Sequence, residues 1–285
     1  HFYKHKPSLI ITPTCGIGGN LEAEAVVLGK KFGIPTAAIN FNWDNLTSKV
    51  RSFRRTDYLI VWNESLKETA VRLHQYDPAK VFVSGILRFD PYFVRAKVFP
   101  SREEFLRKSG LDPKYKTLLY GSTSDEVYPY QRELIRLLLE LRKGKLSSYV
   151  NIFVRLHYKD SPKRYEEFFN EPDFHLEPYT STSLYQDTLH LKATILYSDI
   201  SLNYASTLSL DACVLDRPVI NIAFPREAFS RFPNQIFDHY RPLLESGAVR
   251  LARDEDELVR FVNVYLERPA LDSGARRALA EKYIV

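Results

Sequence analysis

The chain has 285 residues, about twice a typical single domain, so it holds two modest domains or one large one. With 45% apolar, 13% aromatic and 26% charged residues it is neither disordered nor collagen-like, and no apolar run reaches the ~18 residues of a membrane-spanning helix. The net charge of +5, from 40 basic and 35 acidic residues, suits anionic small molecules or a membrane surface as well as nucleic acid. Basic residues bunch from Lys49 to Arg55 and from Arg95 to Lys108.

Cys15 and Cys213 are far apart, with no CxxC or Cys/His cluster, which fits a reducing cytosol and offers no zinc site. No charged-then-apolar leader is visible. The sequence has no methionine and opens at His1 just before a strand-like run, so an N-terminal piece is expected to be missing.

In chain order, Ser8 to Thr12 reads as a buried strand, Leu21 to Phe32 as a helix stopped by Gly33 and Pro35, and Thr36 to Phe41 as the next strand. Tyr58 to Trp62 is a third strand, Ser65 to Tyr76 a helix, and Val81 to Ser84 a fourth strand. Strands alternating with helices predict parallel sheets. The pattern lapses around Asp90 to Pro100, where a domain boundary at 98/99 is expected, and restarts as a capped helix with Ser101 three residues before Glu104. A second series follows: strand Thr117 to Tyr120, helix Tyr130 to Leu146, strand Asn151 to Arg155, helix Leu184 to Tyr197, strand Ile200 to Asn203, helix Thr207 to Val214 and strand Val219 to Ile222. Two βα domains in series predict an interdomain cleft at the carboxyl ends of their strands, where ligands of such sheets bind.

The polar loops at predicted strand ends are the candidate site. Gly18 and Gly19, in Cys15-Gly16-Ile17-Gly18-Gly19-Asn20, suit either an anion at a helix N-terminus or a plain turn; their spacing fails as a dinucleotide fingerprint. Trp43, Asp44 and Asn45 place a stacking plate beside hydrogen-bonding groups, as a sugar acceptor needs, or form an Asp/Asn turn. Glu64 is a general base or, behind an Asn63 cap, a first-turn acid. Ser122 and Thr123 offer hydroxyls and amides to a phosphate or form a helix entry. His157, at a strand end beside Arg155 and Lys159, is a general base or a phosphate holder. Ser206 and Thr207 stand where a helix starts, with Asp211 one turn on, a layout suited to a diphosphate.

The string SDISLNYASTLSLDACVLDRPVINIAF resembles the donor-binding segment of GT-B transferases, especially bacterial surface-polysaccharide and CDP-glycerol glycerophosphotransferase-like proteins. WDNLTSK, DYLIVWNE and VFVSGILRFDPY resemble the acceptor-side half of the same group, so the resemblance runs over about residues 36 to 225. It implies a GT-B-like α/β fold of two Rossmann-like domains with parallel sheets facing a cleft, the acceptor on 1–98 and the nucleotide donor on 99–285. It also implies phosphate holding by Ser206 and Thr207, a donor-side acid at Asp211 and the strand-end histidine at His157. Tyr158 stands where that group usually has a proline.

The expected activity is transfer of a sugar from a nucleotide-linked donor to a hydroxyl of a cell-surface glycan. The alternatives are CDP-glycerol-type glycerophosphoryl transfer, UDP-sugar 2-epimerisation and a non-catalytic binding module. His157, Asp44 and Glu64 are the candidate bases, and Ser122, Thr123, Arg155, Ser206, Thr207 and Asp211 are assigned to the donor. Trp43, Asn45, Gly18 and Gly19 are assigned to the acceptor. No metal is expected, since no D-x-D motif has strand context, and no cofactor, since the nucleotide-linked donor is a substrate. Partners are the donor and a glycan or lipid-linked acceptor, without nucleic acid, and the location is the cytoplasm with contact at the inner face of the plasma membrane.

Overall fold

The computed structural model describes residues 7–13, 20–49, 54–93, 99–180, 183–227 and 237–284. It forms two compact units. The first comprises His1–Leu87, Phe237–His239 and Glu281–Val285; the second comprises Arg88–Ile236 and Tyr240–Ala280. The chain therefore passes from one to the other at Leu87/Arg88 rather than at 98/99, and two short C-terminal segments return to the first unit.

The first unit is a parallel sheet of β1 (Ile10–Thr12), β2 (Thr36–Ile39), β3 (Tyr58–Val61) and β4 (Val81–Val83) in that order, with α1 (Asn20–Lys31) and α2 (Glu64–His74). Consecutive order with right-handed crossovers sets both helices on one face. That face buries Thr12, Ala38, Leu59, Val61 and Val81 against Val26, Leu66 and Ala70. The opposite face presents Ile11, Ile39, Tyr58 and Phe82, each at least 40% exposed. Gly29 lets α1 lie close: a Cβ there would come within 2.7 Å of Thr36 and 2.8 Å of Ile10. Asn63 caps α2, accepting the Leu66 N–H at 2.9 Å, and Gln75 ends it in the left-handed region at φ 56°.

The second unit begins with α3 (Asp90–Phe93) and α4 (Arg102–Lys108), whose cap Ser101 accepts the Glu104 N–H at 3.1 Å. Its six parallel strands run β10-β9-β8-β5-β6-β7: β5 (Lys116–Gly121), β6 (Val150–Arg155), β7 (Phe174–Glu177), β8 (Ile200–Asn203), β9 (Val219–Ile222) and β10 (Arg250–Ala252). The helices are α5 (Gln131–Leu141), α6 (Leu184–Tyr197), α7 (Leu208–Val214), α8 (Arg241–Glu245), α9 (Glu255–Glu267) and α10 (Ser273–Tyr283), the last of which runs from the second unit into the first at Glu281. Leu118, Tyr120, Ile152, Val154, Ile200, Leu202, Ile220 and Ile222 form the core with Leu134, Ile135 and Leu138 of α5. The near-continuous apolar runs of these strands match a sheet covered on both faces.

Helix α5 stops at Leu141, short of the expected Leu146, because Arg142 to Lys145 turn around Gly144. β7 and β10 were not readable from periodicity. Both are edge strands, three or four residues long, whose extended state comes from pairing, as in Val154 with Leu176 and Leu251 with Asn221.

Candidate functional site

The second sheet reverses its winding between β5 and β8, the chain moving outward through β6 and β7 on one side and through β9 and β10 on the other. Loops leaving the carboxyl ends of strands at such a switch point diverge and open a crevice. Gly121 and Asn203 are the last register partners there. α7 packs closely over Gly121: a Cβ there would come within 2.4 Å of the Leu208 side chain, which would have to shift.

Three loops converge on this end of the sheet. After β5, the peptide of Thr123 is held by the buried Gln131 side chain, whose Oε1 accepts the Thr123 N–H and whose Nε2 donates to the Thr123 carbonyl, both at 2.8 Å. After β6, the His157 N–H donates to Ser122 Oγ at 2.8 Å, and Ser122 Oγ donates to Asp160 Oδ2 at 3.2 Å. The Asp160 carboxylate, 1% exposed, also receives Tyr165 OH at 2.7 Å, Arg164 Nη1 at 2.9 Å and the Ser161 N–H at 2.8 Å. Such a buried carboxylate is stable only with its lone pairs used, and here they tie both loops together. Burial and the Asp160 hydrogen bond push the Tyr165 hydroxyl far above its ordinary range, so it stays a donor.

His157 Nδ1 accepts the Lys159 N–H at 3.2 Å. That assigns the ring proton of the neutral imidazole to Nε2, a donor suited to a phosphate oxygen.

After β8, Ala205 turns in the left-handed region at φ 49° and Ser206 opens α7, its Oγ accepting the Leu208 N–H at 3.2 Å. The Ser206 N–H is held by Asn203 Oδ1 at 2.9 Å. Asn203 belongs to a fully buried network: its Oδ1 accepts Asn221 Nδ2 at 3.0 Å, its Nδ2 donates to Ser209 Oγ at 3.1 Å, and Tyr240 OH donates to Asn221 Oδ1 at 2.7 Å. Thr207 makes no side-chain cap to α7.

With these loops in place the family can be stated, since the model for CDP-glycerol:poly(glycerophosphate) glycerophosphotransferases matches residues 26–285. The chain belongs to this family. Among solved structures it is similar to S. aureus MnaA in its UDP co-structure, with TM-score 0.67 and 11% identity over 100% of this chain and 73% of that one. It is also similar to the Methanocaldococcus jannaschii UDP-GlcNAc 2-epimerase in complex with UDP-GlcNAc and UDP, with TM-score 0.63 and 14% identity over 98% and 76%. The wall teichoic acid polymerase TagF gives TM-score 0.55 and 17% identity over 84% of this chain and 55% of its own. These likenesses show the fold, a GT-B type with two Rossmann-like units. No curated protein matches by sequence.

The other residues singled out in the sequence have these places. Asp211, 1% exposed, accepts Arg88 Nη2 at 3.0 and 2.8 Å and Tyr92 OH at 2.7 Å, so its carboxylate locks α7 to the segment that opens the second unit. Asp211 raises the Arg88 pKa, and burial raises that of Tyr92. Arg155 sits between two carboxylates, Glu177 and Asp187, each at 2.5 Å, and joins β6 to β7 and α6.

In the first unit, Asn45 Oδ1 accepts the Asn42 N–H at 2.5 Å and Asn42 Oδ1 accepts the Trp43 N–H at 3.0 Å, a self-bonded turn. Trp43 is buried, its ring edge-on to His239 at 5.0 Å between centroids. Asp44 pairs through Oδ2 with Lys49 at 2.8 Å, while its buried Oδ1 has no hydrogen-bond partner. Glu64 is exposed in the first turn of α2 behind the Asn63 cap. Gly18 and Gly19 lie outside the described residues.

Asp160, Gln131 and Arg88 escaped the sequence reading. Asp160 and Gln131 carried no motif, and Arg88 stands 123 positions from its partner. Among the described residues no three His, Cys, Asp or Glu side chains cluster so as to hold a metal ion, and no helix is long and apolar enough to cross a membrane.

Proposed function

We propose that this chain carries out glycerophosphoryl transfer from CDP-glycerol to a terminal hydroxyl of a cell-surface glycerophosphate polymer or its lipid-linked primer. The observation that carries the reading is the family match over residues 26–285, which moves the sequence's alternative ahead of sugar transfer. The acceptor oxygen attacks the phosphorus bearing glycerol, a P–O bond forms, the bridging P–O bond breaks and CMP leaves. The acceptor proton passes to a general base.

Phosphoryl transfer relies on positioning and charge stabilisation more than on covalent chemistry. In this reading His157 Nε2–H and the hydroxyls of Thr123, Ser206 and Thr207 hold the diphosphate, while Ser122, whose hydroxyl proton goes to Asp160, fixes the His157 loop, and Asp211 and Arg155 act within the fold to fix α7 and β6. A lipid-linked acceptor would bring the protein to the inner face of the plasma membrane.

The test is incubation with radiolabelled CDP-glycerol and a glycerophosphate-primed acceptor, following CMP release and acceptor growth together. UDP-N-acetylglucosamine is the control donor. Coupled CMP release and growth, lost in His157→Ala and in a Ser206→Ala, Thr207→Ala double variant, is the expected result. Consumption of the sugar nucleotide in place of CDP-glycerol would sink the proposal.

A further inference from the structure

A second group of cations lies at the opposite end of the six-stranded sheet. Arg102 opens α4, Lys114 and Lys116 flank the start of β5, and Arg217 precedes β9. Together with Ser198 and Asp199 they line a cavity of about 340 Å³. The donor loops leave the other ends of these strands, at Gly121 and Asn203. Six residues of β5 separate the two ends by roughly 17 Å, so an anion here is not the donor diphosphate.

The cavity is short of negative charge. Asp199 is shared: Oδ2 takes Arg102 Nη2 at 3.2 Å and the Thr117 N–H at 2.8 Å, and Oδ1 takes Lys116 Nζ at 3.0 Å. Lys114 has its own partner in Asp112 at 2.8 Å. Asp216, the neighbour of Arg217 in sequence, is turned away, its Oδ1 accepting Arg276 Nε at 2.8 Å and its Oδ2 accepting Ser273 Oγ at 2.5 Å. Arg217 Nε is buried without a hydrogen-bond partner, and burial lowers this guanidinium's pKa. Asp199 and Asp216 oppose that effect of burial, but neither bonds Nε, and a guanidinium beside ammonium groups matches the geometry and charge of a phosphate.

We propose that this cavity is a second phosphate-binding site, distinct from the donor loops, taking the phosphate of a small soluble anion or of an anionic lipid headgroup through Arg217, Lys116 and Arg102. The test follows the backbone amide resonances of Lys116, Asp199 and Arg217 in the whole protein during titration with inorganic phosphate, against sodium chloride at equal ionic strength. Saturable shifts specific to phosphate, weakened about tenfold or more in Arg217→Gln and in Lys116→Gln, are expected. Lys116 is half-exposed, so its variant keeps the test sound if Arg217→Gln fails to fold.

A parallel arm measures co-sedimentation with phosphatidylcholine vesicles with and without phosphatidylglycerol. Binding that needs phosphatidylglycerol and both cations assigns the lipid source; phosphate shifts without vesicle binding assign the soluble one. Shifts matched by chloride, or unchanged in both variants, would overturn the site.

Discussion

Ser122 Oγ receives the amide N–H of His157 at 2.8 Å, which makes the loop after β5 and the loop after β6 a single unit. Behind them stands Asp160, to which Ser122 Oγ itself donates. Asp160→Asn keeps the size of the side chain but removes the charge that Arg164 and Tyr165 satisfy. The expected cost is about 1–3 kcal/mol of stability. Because the loop carrying His157 also loosens, kcat for the proposed transfer should fall more than KM for the donor rises. Melting and steady-state kinetics on the same preparation check both. Unchanged kinetics in a folded variant would show that the loops do not need this latch.

Asn203→Ala removes the acceptor that holds the Ser206 N–H and leaves Ser209 and Asn221 short of partners inside the core. A loss of about 2–4 kcal/mol is expected from denaturant unfolding, together with weaker nucleotide binding by calorimetry. Restoring the polar group by Asn203→Ser should recover part of the stability.

Asp211 separates a structural role from a ligand role by two substitutions. Asp211→Ala strands the buried Tyr92 hydroxyl and the Arg88 guanidinium, at a cost of about 2–4 kcal/mol. Asp211→Asn keeps an acceptor for Tyr92 and should cost less. If activity follows stability across the pair, the carboxylate acts through α7. Activity lost in Asp211→Asn with an unchanged melting temperature would place it on the substrate.

His239 makes the first unit sensitive to acid. Burial pushes its imidazole down to about 4, while Asp44 and Asp238 favour the charged ring and Lys49 opposes it. Its Nδ1 lies 2.6 Å from Thr47 Oγ1, and its ring meets Trp43 and Phe237. The unfolded chain binds this proton near pH 6.5 and the folded one near pH 4, so the stabilisation is complete above pH 6.5 and is lost as pH falls towards 4. The difference is on the order of 3 kcal/mol. His239→Phe, which keeps a ring, should flatten the stability profile in that window relative to the parent chain, as read by urea unfolding at each pH. Parallel profiles for the two proteins would remove His239 as the cause.

Much of the fold is readable locally. The apolar run Val219 to Ile222, the Ser101 cap and the Gly33 stop place their elements within a residue or two, because periodicity and capping act over one or two turns. The string SDISLNYASTLSLDACVLDRPVINIAF likewise carries the resemblance, since it lies on contiguous residues from β8 to β9. The site is less readable. Arg155 looks like a phosphate ligand in sequence, yet Glu177 and Asp187 come 22 and 32 positions later to take it.

The sequence by itself determined the alternation of strands and helices, the two parallel sheets that follow from it, and the loop residues Ser122, His157 and Ser206 at strand ends, because each depends on short-range patterns of polarity and turn chemistry. Tertiary structure alone decided which charges are already used. Asp211 is committed to Arg88, Asp216 to Arg276, and Arg217 Nε to no partner. Electrostatic pairing depends on distance and desolvation in the folded chain, and nothing in the spacing of these residues encodes either.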